Sequence, residues 1–426
     1  MGVFDFLRRL FFGIAPKTGA AQKRRRRRSR RKPILVPLRR RQNQHQDRTT
    51  SRTTVRANVE REESPYPFAR YGVRTGGYLD LSQSGDVSRL SARGLPIFHN
   101  PSELANWLDI PAGKLAWLIH RFSERHRPPS EQQAHYHYRW IRKRVSGYRL
   151  IEAPKSTLKQ TQTRILREIL DNVRPHEAAH GFVAGRGIVT NASPHVGSAI
   201  LLKFDLENFY ASVSFSRVVA VFRGLGYSRE AALWLSHLTT STMPAGFSSP
   251  QDAPNAGMSY LPRHLPQGAP TSPALANLSA FSLDVRLKGM AAAFGARYTR
   301  YADDITFSGP DRFIGSLRTF IPLVQQIIRN ERFRVNAKKR HVVRDNQRMI
   351  VTGVVVNERT NVARPDYDRL KAILTNCIRK GPSTQNNDRH EDFPAHLRGR
   401  IAHVSHLNAE RGRKLLSLFE QIDWRR

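Results

Sequence analysis

A single cysteine, Cys377, stands in 426 residues. That excludes an internal disulfide framework and any cysteine-rich zinc site. Acidic residues are scarce as well: 34 Asp and Glu face 71 Lys and Arg, a formal charge of +37. A chain so unbalanced repels itself, and a polyanionic partner relieves that repulsion. Long apolar runs are also missing, and no stretch approaches the roughly 20 residues needed to cross a bilayer. Asp5, Arg8 and Arg9 interrupt the apolar opening segment, no clear small-residue cleavage site follows, and Phe6 stands where a myristoylation signal needs Ser or Thr. Neither a signal peptide nor a membrane span is expected, and one cysteine fits a reducing compartment.

The charge that is present is unevenly spread. Residues 1–64 hold 19 basic and 5 acidic side chains; the other 362 hold 52 and 29, so the body is basic in its own right. Nine of the ten residues from Lys23 to Lys32 are cationic, a density that repels too strongly to pack. Residues 1–66 are therefore expected to be a disordered basic arm, either touching nucleic acid or serving as a solubilising extension. The remainder exceeds what one hydrophobic core usually organises, so two or three subdomains are expected.

Order begins within Tyr71–Pro96 and is clear by Ser102, which has the side chain of a helix N-cap. Leu104, Ala105, Leu108, Leu115, Leu118 and Ile119 follow at helical spacing, with Trp107 and Trp117 reading as core. Tyr136–Ile141 and Tyr148–Ile151 read as strands, and Leu158 to Leu170 as a helix. Ala199–Phe204 is a continuous apolar strand ending on Asp205. Met243–His264, rich in Pro, Gly and Ser, reads as an inserted loop. The spacing then predicts a helix over Thr271–Leu287, strands over Ala296–Tyr301 and Ile305–Ser308, a helix over Phe313–Arg329 and a strand over Met349–Val356. Helices over Tyr367–Ile378 and Arg411–Ile422 close the chain. This alternation around an antiparallel hairpin indicates an α+β architecture.

In so basic a chain, clustered carboxylates need a reason. Asp205 leaves an apolar strand, and about a hundred residues later Asp303 and Asp304 stand side by side at a hairpin tip. Adjacent like charges are costly unless a cation offsets them. Three carboxylates converging from two strands suit a pair of Mg²⁺ ions about 3.5–4 Å apart. A solvated hairpin loop is the bland alternative, since Asp favours turns.

Order and spacing decide between them. Tyr301-Ala302-Asp303-Asp304, preceded by Leu265-Pro266-Gln267-Gly268-Ala269-Pro270-Thr271-Ser272-Pro273 and by Phe204-Asp205-Leu206, resembles a reverse transcriptase. Asn191-Ala192-Ser193-Pro194-His195 is similar to the NAxxH element of bacterial retron reverse transcriptases, and Val351-Thr352-Gly353 to their VTG element. The resemblance runs from about Ser102 to the C-terminus.

That resemblance implies a right-hand polymerase fold: an N-terminal region and fingers over 67–200, a palm over 201–348, and a primer-grip strand with a helical thumb over 349–426. It implies that Asp205, Asp303 and Asp304, with the backbone carbonyl of Leu206, hold two Mg²⁺ ions for nucleotidyl transfer from deoxynucleoside triphosphates. Tyr210 would lie under the incoming sugar and exclude a 2′-hydroxyl, with Phe209 as its neighbouring candidate. Gln267 and Gly268 would contact the incoming nucleotide and template, Arg149 would clamp the triphosphate, and Lys338 or Lys339 would lie near the pyrophosphate. Asn191 and His195 would contact structured RNA or fix a loop internally. Val351, Thr352 and Gly353 would lie on the strand leading to the thumb. Arg364, Arg369, Lys371, Arg379 and Lys380 surround apolar positions at helical spacing and would face a duplex.

The family's partners are a cognate structured noncoding RNA, its branched RNA–DNA product (msDNA) and, in antiphage defence, a separate effector protein. A reverse transcriptase of a group II intron or diversity-generating element is the alternative within the fold, and a catalytically silent RNA-binding scaffold the alternative outside enzymology. The NAxxH and VTG elements disfavour the first; the intact carboxylates disfavour the second.

Overall fold

The computed structural model describes residues 63–72, 76–120, 127–143 and 147–425. The expected basic arm lies outside them except for its last four positions. The described chain is α+β and has the right-hand polymerase architecture.

Among the described residues, ten short strands form four antiparallel sheets. A small hairpin, β1 (Arg70–Gly72) with β2 (Gly77–Leu79), lies near the start. β3 (Tyr136–Arg142) pairs with β4 (Tyr148–Pro154), placing Arg149 opposite Ile141. The central sheet has the order β6-β7-β5-β8, from β5 (Ile200–Asp205), β6 (Arg297–Tyr301), β7 (Asp304–Gly309) and β8 (His341–Arg344). β5 is apolar on both faces because both are covered: Ile200, Leu201, Leu202 and Phe204 are all buried. Leu202 and Phe204 share a core with Ile305 and Phe307 of β7 and with Leu283, Leu287, Phe320, Val324 and Ile328 of the flanking helices Phe281–Ala293 and Leu317–Asn330.

A second core gathers the C-terminal helices Arg364–Lys380, Phe393–Leu407 and Ala409–Glu420 around Leu370, Leu374, Leu397, Ile401, Val404 and Leu415. Cys377 is buried there as a small apolar residue. Arg364, Arg369, Lys371, Arg379 and Lys380 are all exposed on the first of these helices.

Several expectations need correcting. Asn100, not Ser102, caps the first long helix: its Oδ1 accepts from the Glu103 N–H at 3.1 Å, and Pro101, with φ already fixed, begins the helix. Trp117 is 54% exposed rather than core, although Trp107 packs against the main cluster. Thr271–Leu287 is two helices, Ser272–Ser279 and Phe281–Ala293, because Ala280 leaves helical geometry at φ −88°, ψ 5°. The helix expected from Phe313 starts at Leu317, after a separate turn at Asp311–Ile314. Met349–Val356 is not one strand. It is a hairpin, β9 (Ile350–Val351) with β10 (Val354–Val355), reversing at Thr352 and Gly353, both in the left-handed region at φ 43° and 81°. The helices Phe215–Leu225, Arg229–Thr239 and Phe393–Leu407 have no counterpart among the sequence expectations.

Candidate active site

The site is built where β5 and the β6–β7 hairpin end together. Asp205 pairs in register with Asp304, and Tyr301 with Asp304 across a two-residue reversal at Ala302–Asp303. Ala302 accepts a left-handed φ of 55° to make that turn. The Leu206 N–H donates to the Asp303 carbonyl at 3.0 Å, which ties the exit of β5 to the turn. All three predicted aspartates and Leu206 are thus brought together.

Their charges are felt. Asp205 is buried, and Asp303 is pushed up to about 7 by burial and by the neighbouring carboxylates of Asp304 and Asp205. The Lys339 ammonium donates to Asp205 Oδ1 at 2.7 Å, and Asn336 Nδ2 to Oδ2 at 3.3 Å. Among the described residues, no three His, Cys, Asp or Glu side chains are already gathered as a metal cage. The donor set nevertheless fits a hard divalent cation: its donors are all oxygen, and Asp303 is buried against the charges of Asp304 and Asp205. A cation reaching Asp205 must share it with Lys339.

Tyr210 lies beside these carboxylates, where burial and the Asp303 charge push its hydroxyl pKa up. Phe209 is different: it is buried, with the Arg300 guanidinium 5.6 Å over its ring. Of the two, Tyr210 faces the site.

Lys143, just after β3, reaches the segment after β5, its Nζ donating to Asn208 Oδ1 at 3.5 Å. Burial and the nearby charges of Arg149 and Lys339 lower its pKa. Three cations therefore gather near Asp205, and Lys143 was not singled out from sequence.

Gln267 and Gly268 are anchored to β4, the strand that carries Arg149. The Gln267 carbonyl accepts from the Glu152 N–H at 2.9 Å. Gly268 has φ 132°, and a Cβ there would stand 3.0 Å from the Glu152 carbonyl oxygen, so the approach requires glycine. Below, the buried Glu152 Oε2 meets His264 Nε2 at 2.8 Å. Burial alone would lower the His264 pKa; the Glu152 carboxylate outweighs it and the net shift is upward. The expected insertion Met243–His264 braces the same hairpin, its Ser248 carbonyl accepting from Trp140 Nε1 at 2.9 Å and Asp252 Oδ2 from the Tyr148 hydroxyl at 2.8 Å.

Sequence reading also missed the support beneath the turn. Arg300, fully buried on β6, donates from Nε and Nη2 to the two oxygens of Asp284 at 2.7 and 2.6 Å. Its Nη1 donates to Asn277 Oδ1 and to the Ala302 carbonyl, both at 3.0 Å. Tyr298 adds its hydroxyl to Asp284 Oδ1 at 2.7 Å. Burial works against the guanidinium charge, but Asp284 more than offsets it. A lone Asp on the apolar side of a predicted helix was the available signal.

Asn191 and His195 lie in consecutive short turns of helix, Ile188–Ala192 and Ser193–His195, and both are buried. Asn191 Nδ2 donates to Thr352 Oγ1 at 3.2 Å, so two elements 161 residues apart touch. His195 bonds Ser308 and Thr299 through its two ring nitrogens, each at 2.8 Å. Burial, Arg297 and His180 depress its pKa to about 3. The unfolded chain takes up this proton near pH 6.5 and the folded chain does not. Stability from this group is therefore complete above pH 6.5 and lost as pH falls toward 3, by about 1.4 kcal/mol per unit. Urea unfolding at pH 5.5 and 4.5 should show His195→Gln losing about that much less than the parent.

The family model described as reverse transcriptase (RNA-dependent DNA polymerase) matches residues 141–356, which takes in β4, both carboxylate strands and the Thr352–Gly353 turn. The chain is a reverse transcriptase, an RNA-directed DNA polymerase. Retron Mx65 reverse transcriptase of Myxococcus xanthus is 38% identical over 335 residues, covering 78% of this chain and 73% of that one. Retron Mx162 reverse transcriptase of the same organism is 32% identical over 355 residues (79% and 69%), and retron Ec86 reverse transcriptase of Escherichia coli 29% over 337 (79% and 93%). The chain belongs to the retron reverse transcriptases. Among solved structures, telomerase from Candida albicans with a telomeric RNA fragment aligns at a TM-score of 0.38 and 10% identity, covering 67% of this chain and 54% of that one.

Proposed function

We propose that this enzyme copies part of a cognate structured noncoding RNA, leaving a branched RNA–DNA hybrid, and that it does so in the bacterial cytoplasm beside a separate effector in antiphage defence. The observation carrying the reading is the convergence of Asp205, Asp303 and Asp304 in a chain so similar to retron enzymes.

Asp205, Asp303 and Asp304, with the Leu206 carbonyl, would hold two Mg²⁺ ions, which supply activation of the attacking hydroxyl and neutralisation of the leaving pyrophosphate. Arg149, Lys143 and Lys339 neutralise and orient the triphosphate; a planar guanidinium bridges phosphate oxygens where an ammonium acts as a point charge. The Gln267–Gly268 backbone, fixed to Glu152, lines the nucleotide's other side. Tyr210 excludes a 2′-hydroxyl by occupying its place. The exposed thumb cations follow the phosphates of the bound duplex.

Two measurements test this. Sequencing nucleic acid that co-purifies with the enzyme should recover an RNA joined to short DNA through a 2′–5′ link; unbranched products alone would contradict the retron reading. Tyr210→Ala should raise ribonucleotide incorporation roughly 10–100-fold, the scale of one misfitted group in a pocket. An unchanged sugar preference would remove Tyr210 from the gate.

A further inference from the structure

The two elements that the chemistry leaves unused, Asn191–His195 and Val351–Gly353, meet in the folded chain. On one side the first element grips the catalytic sheet. His195 spans β6 and β7 through Thr299 and Ser308, at 2.8 Å each. Arg297 of β6 donates to the Pro194 carbonyl at 2.6 Å, and Ser198 Oγ to Ser308 Oγ at 3.0 Å. On its other side the same segment grips the β9–β10 hairpin. Asn191 Nδ2 donates to Thr352 Oγ1 at 3.2 Å, and the Gly197 N–H to the carbonyls of Val356 and Asn357 at 3.2 and 2.9 Å. Ala192 and Leu201 pack in the same core as Val351, Val354, Leu370 and Leu397.

Asn191 is 1% exposed and His195 0%, so neither presents a surface to RNA. Thr352 holds a left-handed backbone, φ 43°, that a β-branched residue adopts only when its surroundings impose it. Its hydroxyl is the atom that Asn191 holds.

We propose that Asn191 and His195 are positioning residues: they form a joint that keeps the Thr352–Gly353 turn, and the helices packed behind it, in fixed register with the strands carrying the catalytic carboxylates. The joint acts on where the primer–template lies relative to Asp205, Asp303 and Asp304, not on bond making. The proposal rests on the polymerase activity of the family and not on the branched product, so it is tested with a DNA primer on an unrelated RNA template.

Thr352→Val keeps the shape and removes the hydroxyl. It should raise the KM for primer–template about tenfold with kcat within about twofold, and Thr352→Ser should restore the parent KM. Asn191→Ala should add nothing further in the Thr352→Val background, because both cut the same tie. Spin labels at exposed Thr319 and Arg413 should give a broader distance distribution in the Asn191→Ala protein. A fall in kcat at unchanged KM, additive effects of the two substitutions, or an unaltered distance distribution would each overturn the joint. Should Asn191→Ala fail to fold, the Thr352→Val and Thr352→Ser pair decides alone: no KM rise in Thr352→Val, or none reversed in Thr352→Ser, refutes it.

Discussion

Replacing Asp303 and Asp304 together with Asn is expected to abolish DNA synthesis, by about a thousandfold or more, while RNA affinity stays within a few-fold. The magnitude follows from the several kcal/mol that divalent cations contribute at a transferring phosphoryl group, each 1.4 kcal/mol being tenfold in rate. Unfolding will not explain the loss. Asp303 is pushed up to about 7 by burial and by two neighbouring carboxylates, so the parent turn stores like-charge repulsion that a neutral amide relieves. In chelator the variant should therefore unfold at the same urea concentration as the parent or higher. Primer extension and urea titration on one preparation check both halves. Retained synthesis, or a marked loss of stability with the loss of activity, would count against the assignment.

The second large effect lies under the turn. Asp284→Ala removes the carboxylate paired with Arg300 and leaves a guanidinium fully buried. Breaking a buried pair on one side costs about 3–5 kcal/mol, because the remaining charge has neither water nor counter-ion. The consequence for catalysis is direct. Arg300 Nη1 holds the Ala302 carbonyl at 3.0 Å, and Ala302 is the left-handed residue that presents Asp303. The variant should be less stable by that amount in urea, and the fraction that remains folded should synthesise DNA poorly. Replacing both partners, as Asp284→Leu with Arg300→Met, should recover part of the stability and none of the activity, since the carbonyl contact is gone.

The difference between these two cases explains what could be read from the sequence. The convergence of the three carboxylates is legible because its pattern is local: an apolar strand ending on Asp205, and a tight turn carrying Asp303 and Asp304. The Arg300–Asp284 pair was not, because nothing local marks a polar residue as buried, and its partner comes from another element. The same holds for Asn191 and Thr352, whose 161-residue separation hides a direct hydrogen bond. Elements with clear periodicity were found, including β5, β6, β7 and the helix Arg364–Lys380. Helix breaks at Ala280 and Gly315 were missed, Ala280 carrying no residue that announces one. The Thr352–Gly353 reversal was read as strand because Val351, Val354, Val355 and Val356 look like one. The helix Phe393–Leu407 was overlooked despite Leu397, Ile401 and Val404 at helical spacing, because histidines and Gly399 dilute its apolar face.

Counting Mn²⁺ by paramagnetic resonance tests the central claim most directly. The enzyme would be bound to an RNA template, a dideoxy-terminated primer and the matching deoxynucleoside triphosphate. The parent should hold two tightly bound ions per complex, coupled to one another, while Asp205→Asn and the Asp303→Asn, Asp304→Asn protein should lose at least one while still binding the RNA. Equal occupancy in parent and variants would place the ions elsewhere and contradict the site described.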